Sequence, residues 1–265
     1  SRGSAFSPEE GEAGIGGDIV NGRTAPLVLG HRGYRARHPE NTLRAFREAL
    51  DAGADGVECD TQKTADGMYV VIHDPTVDRV TGRRGDVGRM TLDELRALDF
   101  GAGERIPLLE ELLRMLPAEA YLDLELKEET LTVEDCEAIA ALCDRHRDRR
   151  RLMISSFGAH LLAPFRRRGF TVGYLVGDEV AEQGATAFAR TLLRLRPQYV
   201  NLPIQMFERI GEKNGTRLCR FLGFLGFRIL FWTINTAAEA RQVMRYSRII
   251  VTDDVGEILA ARDRS

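Results

Sequence analysis

From Pro26 onward, short apolar runs alternate with amphipathic stretches: "PLVLG", "DGVECDT", "AYLDLEL", "RLMISSF", "TVGYLV", "QYVNLP", "RILFWT" and "RIIVT". These are eight strand candidates. Between most neighbours lies a segment of helical period, such as "NTLRAFREALDAG", where Leu43, Phe46 and Leu50 share one face. Thr91 with Glu94, and Thr236 with Glu239, have capping-box spacing, in which a hydroxyl and a carboxylate satisfy backbone amides at a helix start. Eight β-then-α units in about 240 residues predict an α/β chain folded as a TIM-type (β/α)8 barrel with an outer ring of helices. A doubly wound open sheet is the weaker alternative.

At 265 residues and 43% hydrophobic content, one large core suffices, so residues 25–265 are expected to form a single barrel domain. Residues 1–24 hold six glycines and several acids without an apolar period, and read as a flexible arm. After the second strand, the "ADG" turn and "MYVVIH" suggest a hairpin, and a small insertion over about 75–106 precedes the helix "LLEELLRML". An excursion of this length usually sits over a site.

A formal net charge of -3, without a concentrated basic run, argues against nucleic acid or an anionic membrane as the main partner. Affinity for a phosphate must then be local. Only Lys63, Lys127 and Lys213 are lysines, so a lysine at a strand end stands out. No apolar stretch approaches the roughly 18 residues of a membrane span. Cys59, Cys136, Cys143 and Cys219 lack metal-like pair spacing and read as buried free thiols, which favours a cytoplasmic location. The start at Ser1 leaves an exported or processed form open.

A parallel barrel carries its chemistry at the C-terminal ends of its strands. His31 follows "LVLG", and His73 ends "YVVIH". Period-two alternation in "GVECDT" sends Val57 and Cys59 to one face and Glu58 and Asp60 to the other. In "LDLELK" it groups Asp123, Glu125 and Lys127. Carboxylates facing one another repel and raise one another's pKa unless a cation sits between them. Oxygen ligands favour a hard divalent ion, Mg²⁺ or Ca²⁺. Histidines beside it can serve as general acid and base.

These residues are where the chain resembles the glycerophosphodiester phosphodiesterase family: His31-Arg32-Gly33, Pro39-Glu40-Asn41-Thr42, Glu58-x-Asp60, Asp66-Gly67 through His73-Asp74-Pro75, Glu125-x-Lys127 and Trp232-Thr233-x-Asn235. The match is dense from about 27 to 127 and thinner to about 254. The resemblance implies a TIM-type barrel with a small insertion after its second strand. It further implies that Glu58, Asp60 and Glu125 bind one divalent cation and that His31 and His73 are the catalytic acid/base pair. Arg32 and Lys127 would hold the phosphate, Glu40 would organise the site, and Trp232 would wall the substrate pocket. The implied substrate is a small glycerophosphodiester, cleaved to glycerol 3-phosphate and an alcohol. The chain departs from the family at Ala65, where a lysine is usual, and in "RIIVTDD"; neither is expected to touch the chemistry.

Competing readings remain at this level. The same site could serve a lysophospholipase D or a cyclising phospholipase D-like activity, and a non-catalytic barrel binding a phosphoryl ligand is a further alternative. Asn41 is read as the cap of the helix "TLRAF", His146 and His160 as helix-surface residues, and the run "RHRDRRR" as a solvated helix end. His38 lies near the site without an assigned role.

Overall fold

Strand residues that alternate between two apolar environments explain the architecture of the computed structural model, which describes residues 19–20 and 23–264. In chain order the strands are β1 (Leu27–His31), β2 (Gly56–Lys63), β3 (Tyr69–Val71), β4 (Tyr121–Leu126), β5 (Leu152–Ser156), β6 (Thr171–Leu175), β7 (Tyr199–Pro203), β8 (Arg228–Trp232) and β9 (Ser247–Thr252). β3 runs antiparallel to the end of β2, with Thr61 opposite Val71. The other eight are parallel, and because β1 pairs with both β2 and β9 the sheet closes into a barrel. All eight coincide with the apolar runs of the sequence.

One set of alternate residues, among them Leu29, Tyr121, Met153, Tyr199, Leu230 and Ile249, fills the barrel interior. The other set, including Val57, Leu124, Ile154, Val200 and Phe231, packs outward against helices. A barrel interior that is apolar below and polar above follows from this alternation, because the same inward register carries Tyr121, Asp123 and Glu125 in turn. Each fully buried aliphatic or aromatic side chain contributes about 1.5–3 kcal/mol.

Helices follow the strands on the outside, from Leu43–Asp51 to Val255–Asp263. The capping boxes at Thr91/Glu94 and Thr236/Glu239 are both formed. Residues 75–106 carry the short helices Asp78–Thr81 and Leu92–Arg96 and build their own apolar cluster from Val77, Val87, Leu95, Phe100 and Ile106 with Val70 and Ile72. No helix among the described residues is long and apolar enough to cross a membrane.

Most of the glycine-rich arm over 1–24 lies outside the described residues, but Ile19–Val20 pairs antiparallel with Arg23–Thr24. The run "RHRDRRR" is not a wholly solvated helix end. Arg147 is buried, and its guanidinium donates to the carbonyls of Leu116, Pro117 and Ala120, fastening the chain ahead of β4. Backbone carbonyls left bare at a barrel base need a donor, and a guanidinium supplies several from one side chain. His146 is half-buried, with Nε2 3.0 Å from Glu110, while His160 is exposed and His38 pairs with Glu48 of the first helix.

Candidate active site

His31 is the last residue of β1, and the chain turns sharply beyond it. Gly33, at φ 84, passes so close to Ala45 that a Cβ would lie 2.5 Å from its backbone. Only glycine fits there. Arg32 and Asn41 take left-handed conformations at φ 54 and 56, an uncommon geometry for residues with a Cβ and one that clusters at functional sites. The turn lets the Arg32 amide donate to Glu58 Oε2 at 3.0 Å, while the Asn41 side chain donates to Asp60 Oδ2 at 2.9 Å. Asn41 is therefore not the helix cap. Thr42 fills that role, its hydroxyl accepting from the Ala45 amide, and frees Asn41 to hold a carboxylate.

Register aligns the carboxylates. His31 lies opposite Glu58 in the β1–β2 pair, and Asp60 opposite Glu125 in the β2–β4 pair. Glu58, Asp60 and Glu125 are buried, and each offers an oxygen within 4.8 Å of the other two. Lys127 Nζ lies 2.9 Å from Asp60 and 2.5 Å from Glu125, and Arg32 Nε lies 3.4 Å from Asp60.

Burial, then repulsion from Asp60 and Glu125, pushes Glu58 well above the usual carboxylate range. Glu125 is pushed up to about 7, burial outweighing the help of Lys127. For Asp60 the balance reverses: burial opposes ionisation, but Lys127 and Arg32 hold it below its ordinary value. Two cations thus leave the carboxylate cluster under-neutralised, which is the electrostatic condition for a bound divalent ion. The all-oxygen donor set fits a hard cation.

Both imidazoles are anchored through one nitrogen. His31 Nδ1 lies 2.6 Å from Asp253, and His73 Nδ1 lies 2.7 Å from Asp74. A neutral ring donating from Nδ1 leaves Nε2 as a proton acceptor. Burial lowers the pKa of both rings. Glu40 accepts from Arg32 and twice from Arg79, and Arg79 also donates to Asp74. The insertion is thereby tied to the turn after β1 through one half-buried carboxylate.

A cavity of about 320 Å³ opens at this end of the barrel. His31, Arg32, Glu58, His73, Glu125 and Lys127 form its polar side, and Phe157, Leu175, Leu230, Trp232 and Val251 its apolar side. Asp123 and Ser155 form part of its floor, with the Ser155 hydroxyl donating to Asp123 at 2.6 Å. Trp232 meets Phe157 edge to face at 6.0 Å. Of the residues singled out in the sequence, only Glu40 and Asp60 stand behind the cavity wall; both hold residues that line it.

Sequence reasoning missed Asp253, Asp74, Arg79 and Asn41. Asp253 belongs to "RIIVTDD", which was expected to lie outside the chemistry. Its place just beyond the last strand, at the C-terminal rim, was the available signal. Arg79 carried none, since its partners are 39 and 5 residues away. Ala65, the other departure, bonds through its amide to Met90 in the insertion.

A closed parallel barrel whose C-terminal mouth joins paired histidines to a carboxylate cluster, a lysine and an arginine is equipped for phosphoryl-ester chemistry. A sequence model described as the glycerophosphoryl diester phosphodiesterase family matches residues 31–257, and the chain belongs to that family. It is 32% identical over 240 residues to a glycerophosphodiester phosphodiesterase of Caldanaerobacter subterraneus subsp. tengcongensis, covering 86% of this chain and 94% of the relative. Among solved structures it resembles the glycerophosphodiester phosphodiesterase of Thermotoga maritima, with TM-score 0.75 and 30% identity over 89% of this chain and 97% of that one. It also resembles a phosphodiesterase of Oleispira antarctica in complex with the product sn-glycerol-3-phosphate, with TM-score 0.78 and 26% identity over 90% and 97% of the two chains.

Proposed function

We propose that this glycerophosphodiester phosphodiesterase hydrolyses its substrate to glycerol 3-phosphate and an alcohol by acid/base catalysis from His31 and His73, with one divalent cation. The observation that carries the reading is the pair of carboxylate-anchored imidazoles lining one cavity with Glu58, Glu125, Lys127 and Arg32.

In this reading Arg32 and Lys127 bind the phosphate, each already poised beside a carboxylate that fixes its direction. Nε2 of one histidine takes the proton of the nucleophile, and Nε2 of the other, protonated, gives its proton to the departing alkoxide. Asp253 and Asp74 hold the rings so that these nitrogens face the cavity. Glu58, Asp60 and Glu125 would hold the cation, Mg²⁺ or Ca²⁺. When bound, it would supply Lewis-acid stabilisation of phosphate charge. Trp232 and Phe157 would shape the wall beside the glycerol or alcohol moiety.

Water and the glycerol 2-hydroxyl are both nucleophiles that this proton path can serve. Phosphorus NMR during turnover distinguishes them, since only the hydroxyl route passes through a cyclic phosphate that water then opens. The exposed apolar residues Phe221, Phe224 and Leu225 do not line the cavity, which favours a water-soluble diester over a lysophospholipid. The four cysteines are free and buried, which supports a reducing, cytoplasmic setting as part of the proposal. Turnover of glycerophosphocholine by His31→Ala and His73→Ala tests the assignment; near wild-type rates in both overturn it.

A further inference from the structure

The chain's net charge of -3 conceals a strong segregation. Residues 190–252 carry eleven arginines and lysines against three glutamates, Glu208, Glu212 and Glu239. This stretch includes β7, β8 and β9, which are neighbours in the barrel. Arg196, Arg228 and Arg248 precede or begin these strands, at the end opposite the catalytic mouth, and Arg228 reaches over the ring of Tyr199.

Within this cationic sector the helix Glu212–Phe224 leaves large apolar side chains in water. Phe221 is 57% exposed, Phe224 86% and Leu225 51%. Their spacing puts them on one stripe of the helix end. Arg217 and Arg220, both exposed, precede the stripe, and exposed Arg228 follows it. Leu193, 74% exposed, lies near the end of an earlier helix, Asp178–Leu195.

We infer that this face docks on an anionic lipid bilayer. Two phenylalanines and a leucine at a helix end can enter the boundary between headgroups and acyl chains, while flanking arginines extend to lipid phosphates. The charge selects this occupant over a second copy of the chain, because face-to-face pairing would set one predominantly cationic sector against another. Docking by this end turns the catalytic mouth toward the aqueous phase, so the enzyme would meet water-soluble diesters near the membrane rather than lipids embedded in it.

The test is co-sedimentation of the full chain with vesicles of phosphatidylcholine alone or mixed with phosphatidylglycerol. Binding to the mixed vesicles is expected, weakened by salt, with little binding to the neutral ones. The variant Phe221→Ser/Phe224→Ser/Leu225→Ser and the variant Arg217→Glu/Arg220→Glu are each expected to bind about tenfold more weakly or worse. Both should keep wild-type turnover of glycerophosphocholine, which also shows that they fold. No binding to mixed vesicles, or undiminished binding by the triple serine variant, overturns the inference. So does light scattering that finds the wild type dimeric and the triple variant monomeric, which would assign the patch to a second copy.

Discussion

The two ends of the barrel interior solve opposite problems. At the closed end, Leu29, Tyr121, Met153, Tyr199 and Ile249 interdigitate, and burial itself is the stabilising term. At the mouth, the same inward register presents Glu58, Asp60, Asp123 and Glu125, whose burial opposes folding. The mouth is tolerable because Lys127, Arg32, Asn41 and Ser155 each meet a carboxylate, and because the closed end supplies stability that does not depend on charge. A buried ion cluster is weak evidence for stability and better evidence of function. The comparison teaches that substitutions at one end should move stability and at the other catalysis.

The largest expected effect lies at the mouth. His31→Ala or His73→Ala should lower kcat by roughly 10²–10⁴-fold with no loss of thermal stability, measured by steady-state kinetics and calorimetry. Its mirror image is Met153→Ala at the closed end. That change should cost about 2–5 kcal/mol in urea denaturation while turnover per folded molecule stays at the wild-type level. A large fall in turnover there would break the division.

Asp253→Asn should act through His31 and reduce kcat by roughly 10–100-fold, with KM little changed. Glu40 probes the strap between the insertion and the first turn. Although burial opposes its ionisation, Arg79 and Arg32 hold its pKa at about 2, below the ordinary 4.5. The sign follows from that direction: its contribution is fully present above about pH 4.5 and is lost as the pH falls toward 2. Glu40→Gln should therefore cost about 1–3 kcal/mol near neutral pH, a difference that shrinks with acidification in parallel urea titrations.

The smallest effect sharpens the contrast most. Glu58 has a raised pKa, so its charge opposes folding increasingly as pH climbs above the ordinary carboxylate value. Glu58→Gln should leave stability in chelator unchanged or higher by up to about 1 kcal/mol. It should also abolish the rise in Tm that Mg²⁺ or Ca²⁺ is expected to give the wild type. A variant that loses stability in chelator, yet keeps the divalent-induced rise, would contradict the proposed ligand set.

Much of this molecule was legible along the chain. Strand period, helix period and capping boxes are local, so the eight barrel strands, the β3 hairpin and both threonine caps could be read from neighbouring residues. Alternation also put Glu58 with Asp60 and Glu125 with Lys127, because a side chain's face in a strand is fixed by its parity. Asn41 shows where that reading failed. Its position before a helix suggests a cap, but a left-handed backbone aims it at Asp60, within a turn closed by the Asn41 amide donating to the Arg32 carbonyl.

What the sequence by itself determined was therefore the barrel, its inward-facing acids and the histidines at its strand ends. Tertiary structure alone decided that Asp253 would hold His31 across 222 residues, that Arg79 of the insertion would reach Glu40, and that Arg147 would be buried at the base. It likewise gathered Arg196, Arg228 and Arg248 at the base of a barrel whose chain carries a net negative charge. Periodicity is a property of the backbone and can be read in one dimension; charge pairing depends on distance through space, which exists only once the barrel has closed.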